Sequence, residues 1–145
     1  MSSPDYHLSE KEEQEVVKAI QMAEKETSGE IRVHIEKTTD KAPLERAKEV
    51  FFYLKMNETK AQNGVLFYLA AKDHTFVILG DQGVDSVVPD NFWNSTRDLV
   101  IAEFKKAAFA KGLIAGIEEA GKKLKEFFPY LPDDTNELSD EISKS

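Results

Sequence analysis

Cysteine is absent from the 145-residue chain. That excludes disulfide frameworks, thiolate metal sites and cysteine nucleophiles, and leaves the redox compartment open. Long apolar runs are missing too. The longest, Val65 to Ala71, is far too short to cross a bilayer. The opening residues MSSPDYHLSEKEEQ have neither the basic nor the apolar stretch of a secretory leader, so a soluble, cytoplasmic protein without a membrane segment is the expectation. Bases are the minority: 19 Lys and Arg face 27 Asp and Glu, for a net charge of −8. Such an excess repels phosphate backbones, which argues against a nucleic-acid partner and for oxygen-liganded cations. Five of the acids and one base lie in 133–145, so the remaining chain, with 22 acids and 18 bases, carries no large field. Neither GxSxG nor HExxH occurs, and no Ser/His/Asp triad can be assembled from spacing. If the protein is an enzyme, a metal-activated water is the route left most open.

An apolar fraction of 41% with 10% aromatics is enough to bury a core without staples. Ser9-Glu10-Lys11-Glu12 fits a capping box, followed by Val16, Ile20 and Ala23 at helical spacing, which predicts a helix over 10–27 ended by Gly29. GEIRVHIEK then alternates strictly, as a half-buried strand does, with Glu30, Arg32, His34 and Glu36 on one polar face. A charge ladder on a solvated face explains those four. The alternative is that Glu30 or His34 contributes to a metal or acid–base site at whichever end of the strand it reaches.

Thr39 or Asp40 is placed to cap a second helix, with Pro43 in its first turn and Leu44, Ala47, Phe51 and Leu54 as its apolar stripe. GVLFYLA is apolar on both faces, as a central strand is, and AKDH joins it to TFVIL in an antiparallel hairpin. Beyond Pro89 a third helix is expected from Asp90 or Asn91. Phe109, Leu113, Ile117, Ala120, Leu124 and Phe128 mark a fourth, stopped by Pro129 and Pro132. The order α-β-α-β-β-α-α calls for an α/β/α sandwich with a small mixed sheet of three or four strands. Residues 1–131 are expected to form its single domain and 132–145 an acidic, mobile tail.

LGDQGVDSVVPD, after the hairpin, holds three carboxylates and two glycines in residues 79–90. As turn chemistry, Gly80 and Gly83 supply unusual backbone angles, Asp81 bonds a nearby amide, and Asp90 caps the third helix. As a site, Asp81, Asp85 and Asp90 lie past a strand end on the sheet edge that also holds Asn63, and could give oxygen ligands to Ca²⁺ or Mg²⁺. The spacing is not that of an EF-hand, and GDQG lacks the Lys-Ser/Thr of a phosphate loop. The acidic tail offers a third possibility, a docking segment for a partner that the sequence does not identify. A monomer is expected.

With the elements placed, the chain resembles the TPM domain family, which includes a thylakoid lumen protein, a photosystem II repair factor and many bacterial proteins. The resemblance rests on TSGEIRVHIE, RAKEVFFYLKM, NGVLFYLA with FVILGDQGVD, VPDNFW, and the pattern from Phe104 to Ile117, and covers residues 8 to 130. It implies an α/β/α sandwich, and for some members an acid-phosphatase-like activity and divalent cations held by acidic loop residues. By position it implies Asn63-Gly64, the loop Gly80-x-x-Gly83-x-Asp85, and Asp90. The loop is one residue longer between its glycines than the family pattern, so Asp81 and Asp85 are alternatives for the loop acid. The leader and C-terminal membrane segment of many relatives are not expected here, so the thylakoid role is not expected to carry over. The implied function is a Ca²⁺- or Mg²⁺-binding module, with a metal-assisted phosphatase as the alternative.

Overall fold

The computed structural model describes residues 8–130 and 137–145. Helix α1 (Glu10–Ala23) starts on the expected capping box: Ser9 Oγ accepts from Glu12 N–H, and Glu12 Oε1 accepts from Ser9 N–H at 2.9 Å. Strand β1 (Glu30–Glu36) follows, then α2 (Pro43–Tyr53), β2 (Gly64–Ala70), β3 (Thr75–Gly80), a four-residue α3 (Gln82–Asp85), α4 (Asn94–Phe104), α5 (Phe109–Phe127) and β4 (Ser143–Lys144). The sheet order is β3-β2-β1-β4. β1 runs parallel to β2 and β4, and β2 antiparallel to β3.

Alternation along the strands sorts the side chains between two cores. Ile31, Val33, Val65, Phe67, Leu69 and Phe76 pack under α1, α4 and α5. Leu66, Tyr68 and Ala70 pack under Ala47, Val50 and Phe51 of α2. β2 is buried on both faces, as its unbroken apolar run requires. The result is the three-layer α/β/α sandwich. Gly116 sets the α4–α5 spacing, since a Cβ there would lie 2.5 Å from Val100 Cγ2.

Several expectations need correction. α1 ends at Ala23, and Thr27 instead bridges to Pro129. Neither Thr39 nor Asp40 caps α2; Ala42 holds that position without a side-chain bond, Pro43 opens the helix, and Leu44 is exposed while Val50 is buried. α4 begins at Asn94 with Trp93 before it, so Asp90 lies in the preceding turn and caps nothing. No glycine has positive φ among the described residues, so Gly80 and Gly83 are not present for unusual angles. The polar face of β1 is not solvated: Glu30, His34 and Glu36 are buried, because α2 and the chain's last residues cover it.

Those last residues depart from the mobile tail that composition suggests. Ser143 and Lys144 pair with His34 and Ile35, and Ser145 N–H donates to Ile35 O at 3.1 Å. Leu138 is buried. Residues 131–136, at the proposed domain boundary, lie outside the described residues.

Candidate functional site

β1 and β2 start at the same edge of the sheet where antiparallel β3 ends. Glu30 is opposite Gly64 and Val65 opposite Gly80, so Glu30, Asn63 and Asp81 share that edge. Two backbone bonds extend the pairing past the strand ends: Glu30 N–H to Asn63 O at 3.1 Å, and Asp81 N–H to Gly64 O at 2.9 Å. Asp81 then caps α3, its Oδ1 accepting from Gln82 N–H at 2.8 Å.

The short helix is pressed onto the loop before β2. A Cβ at position 83 would lie 2.3 Å from Ala61 O and 2.5 Å from Gln62 O, so only glycine allows this approach. The same packing brings the Asp85 carboxylate back over the strand end, where a Cβ on Gly80 would lie 3.2 Å from Asp85 Oδ1. Although Asp85 is an exposed residue, partial desolvation of its carboxylate, and secondarily the charge of Asp81, raise its pKa above the usual aspartate value. The two carboxylates thus repel across this edge.

Two further oxygens stand out. Asn63 is buried with Nδ2 donating to Ser28 O at 2.8 Å, and its Oδ1 has no donor. Asp81 Oδ2 is likewise buried without a donor. Burying such an oxygen unpaired costs about 1–3 kcal/mol. The edge thus offers two carboxylates and one amide oxygen, with the carbonyls of Ala61 and Gln62 lying against Gly83. This is the donor set of a hard cation.

Of the other two residues expected as ligands, Glu30 lies at this edge with one oxygen engaged, and Asp90 lies apart from it. Glu30 Oε1 accepts from Glu137 N–H at 2.6 Å and Leu138 N–H at 2.7 Å, which commits that oxygen to holding the chain's last segment. Its pKa is raised by burial, against which those two bonds work. Asp90 is exposed in its turn. No three His, Asp or Glu side chains converge in a metal-holding group among the described residues. Any cation at this edge would draw on neutral oxygens beside Asp81 and Asp85.

The opposite edge holds a network that spacing did not reveal. Arg46 of α2 grips Glu36 bidentately, with Nε to Oε2 and Nη2 to Oε1 both at 2.9 Å, and Tyr68 Oη donates to Glu36 Oε2. Burial pushes the Glu36 pKa up, but the bonds from Arg46 and Tyr68 outweigh it and hold the group below the usual glutamate value. Tyr68 is pushed up, by burial and by its bond to Glu36. His34 stacks on Tyr68 with ring centroids 6.0 Å apart, and burial lowers its pKa to about 4. Both Glu36 oxygens are occupied, so the network is a satisfied ion pair closing the α2 face. An open depression of about 510 Å³ lined by Glu36, Thr38, Thr39, Asp40, Lys41 and Arg46 adjoins it. The strict alternation of β1 was the available signal, since it put His34 and Glu36 on one face; the partner Arg46 comes from another element. Phe92 and Trp93 pack as an aromatic pair with centroids 4.6 Å apart, a core role.

Residues 4–123 match the family model described as TPM domain. No curated protein matches the chain. Among solved structures, the BA42 protein of the psychrophilic bacterium Bizionia argentinensis is similar over 100% of both chains, with 50% identity and a TM-score of 0.93. The N-terminal domain of a protein from P. gingivalis is 18% identical with a TM-score of 0.69, over 83% of this chain and 78% of that one. The N-terminal domain of the cg2496 protein of Corynebacterium glutamicum is 12% identical with a TM-score of 0.64, over 96% of this chain and 82% of that one. The last two likenesses speak to the fold alone.

Proposed function

Since this chain belongs to the TPM domain family, we propose that it is a divalent-cation-binding module that holds Ca²⁺ or Mg²⁺ at the edge formed by Asn63, Asp81 and Asp85. The observation that carries the reading is the pair of buried oxygens without donors, Asn63 Oδ1 and Asp81 Oδ2, beside a second carboxylate raised in pKa. A cation satisfies both oxygens at once and offsets the repulsion between the two aspartates. Water could satisfy the oxygens but would leave that repulsion in place. With only two charged ligands the site belongs at the weak end of calcium affinities, on the order of 10⁻⁴–10⁻³ M.

Equilibrium dialysis with ⁴⁵Ca²⁺ tests this. One ion per chain in the wild type, lost in Asp81→Asn and weakened in Asp85→Asn, is the expected result. Retention of the ion in the Asp81→Asn, Asp85→Asn double variant would reject this edge as the site. A metal-assisted phosphatase on the same loop is the alternative that the family suggests. It requires p-nitrophenyl phosphate turnover that disappears in the same double variant.

A further inference from the structure

The last residues of the chain lie between the outer edge of β1 and the flank of α1, and they are read out on both faces. Toward α2, His34 Nδ1 meets Ser143 Oγ at 2.9 Å and Nε2 meets Ser145 Oγ at 3.0 Å, so one buried imidazole engages two serines. Toward α1, Ile142 packs on the rim of the larger core and Lys144 Nζ reaches Glu13 Oε2 at 2.7 Å. The backbone between them joins the sheet through the β1–β4 pairing. Strand addition with alternating side-chain pockets is a recognised way to bind extended peptides.

From this we propose that the β1–α1 groove is a peptide-binding surface for an extended segment of another protein with the pattern apolar-Ser-basic-Ser, and that the chain's own Ile142–Ser145 occupies it in cis. Each element of the pattern has its receiver: the core rim for the apolar residue, Glu13 for the base, and the two nitrogens of His34 for the serines. Residues 142–145 are held by two paired residues, the Ser145 N–H bond to Ile35 O, the hydroxyl–imidazole bonds, Ile142 on the core rim and an ion pair whose lysine side chain is 58% exposed, while the firmer anchor lies upstream, where Glu30 Oε1 accepts from Glu137 and Leu138 N–H. Exposed ion pairs contribute little, and a two-residue strand at a sheet edge can open locally while the upstream anchor at Glu30 stays in place. A partner segment with the same pattern replaces these contacts one for one.

The test uses the full chain, ¹⁵N-labelled, as wild type and as Ser143→Pro, which removes a strand N–H from β4; Lys144→Glu replaces it if the proline variant does not fold. Unchanged β2 and β3 amides show that a variant is folded. The probe is the N-blocked peptide Ser-Asp-Glu-Ile-Ser-Lys-Ser, the sequence of 139–145. It is expected to shift the amides of Arg32 to Glu36 in the folded variant, at least about tenfold more tightly than in wild type, where the tethered segment competes at high effective concentration. The peptide Ser-Asp-Glu-Ile-Ala-Glu-Ala should bind at least about tenfold more weakly, having lost the ion pair and both hydroxyls. Absence of β1 shifts in a folded variant, or equal binding of the two peptides, overturns the proposal. Wild-type dimers that exchange their last segments would also overturn it, by making a second copy the occupant.

Discussion

Asp85 carries the electrostatic tension of the acidic edge, and its behaviour can be followed directly. Its pKa is raised by partial desolvation first and by Asp81 second. Removing the neighbouring charge in Asp81→Asn should therefore lower it toward the ordinary value, which a carbon-detected NMR titration of the Asp85 carboxyl reads. A cation needs the deprotonated form. Binding should accordingly weaken as pH falls, beginning above the pH at which an unperturbed aspartate would titrate. An unchanged Asp85 pKa in Asp81→Asn would show that the two carboxylates do not interact. At the other edge, Glu36 is buried and depends on Arg46 and Tyr68. Arg46→Met would leave that carboxylate without its cation, with an expected cost of about 3 kcal/mol in urea denaturation.

At the scale of elements, α3 acts as the lever that places Asp85. Gly83→Ala puts a methyl group where Ala61 O and Gln62 O now lie, so α3 must lift away from the loop. A loss of roughly 1–3 kcal/mol is expected, together with weakened cation binding; unaltered binding would separate α3 from the site. Besides Glu30, the segment 137–145 responds to pH through two groups of opposite sign. Glu24 is raised to about 9 by burial and by Asp140, with Glu30 adding to the rise and the Ile31 N–H opposing it. A raised carboxyl favours the native state when protonated, so stability falls as pH rises from the ordinary value of 4.5 to about 9. His34 is lowered to about 4, so its contribution is lost as pH falls from 6.5 toward 4. Hydrogen exchange at Ser145, corrected for intrinsic rate, should show less protection at pH 8 than at pH 6, and Glu24→Gln should remove that difference. Persistence of the difference in Glu24→Gln would assign it elsewhere.

These elements also show what the chain discloses locally. The capping box at Ser9, the two-faced run of β2 and the three-four spacing of α5 were legible because each is decided within a few residues of itself. Asp90 fits the residue type of a cap just after Pro89, yet the turn of 90–93 delays α4 to Asn94. The polar face of β1 was read as solvated because nothing in Glu30, Arg32, His34 or Glu36 announces Arg46, Ser143 or Glu137, which arrive from 10 to 109 residues away. The docking of 137–145 is hidden in the sequence for the same reason. The composition there is that of a solvated segment, and the docking depends on an open strand edge and two buried polar residues, Glu30 and His34. Of the site, the sharing of one edge by Asn63 and Asp81 followed from the antiparallel hairpin, whereas the close approach of Gly83 did not.

Over the whole molecule, the sandwich separates two kinds of chemistry at its two sheet edges. One edge gathers Asn63, Asp81 and Asp85 at the amino ends of the parallel strands; the other closes Glu36 under Arg46 and Tyr68. No helix among the described residues is long and apolar enough to cross a membrane. The net charge of −8, about half of it in 133–145, favours some non-specific association of cations, which must be distinguished from binding at one edge. An amide-resolved titration makes that distinction. ¹⁵N-labelled wild-type protein titrated with CaCl₂ and MgCl₂ should show saturable shifts confined to Asn63, Gly64 and Gly80 to Asp85, absent in Asp81→Asn. Spectra unchanged at these amides up to about 10 mM cation, beyond the weak end of protein calcium sites, or shifts scattered over the acidic surface without saturation, would contradict the account.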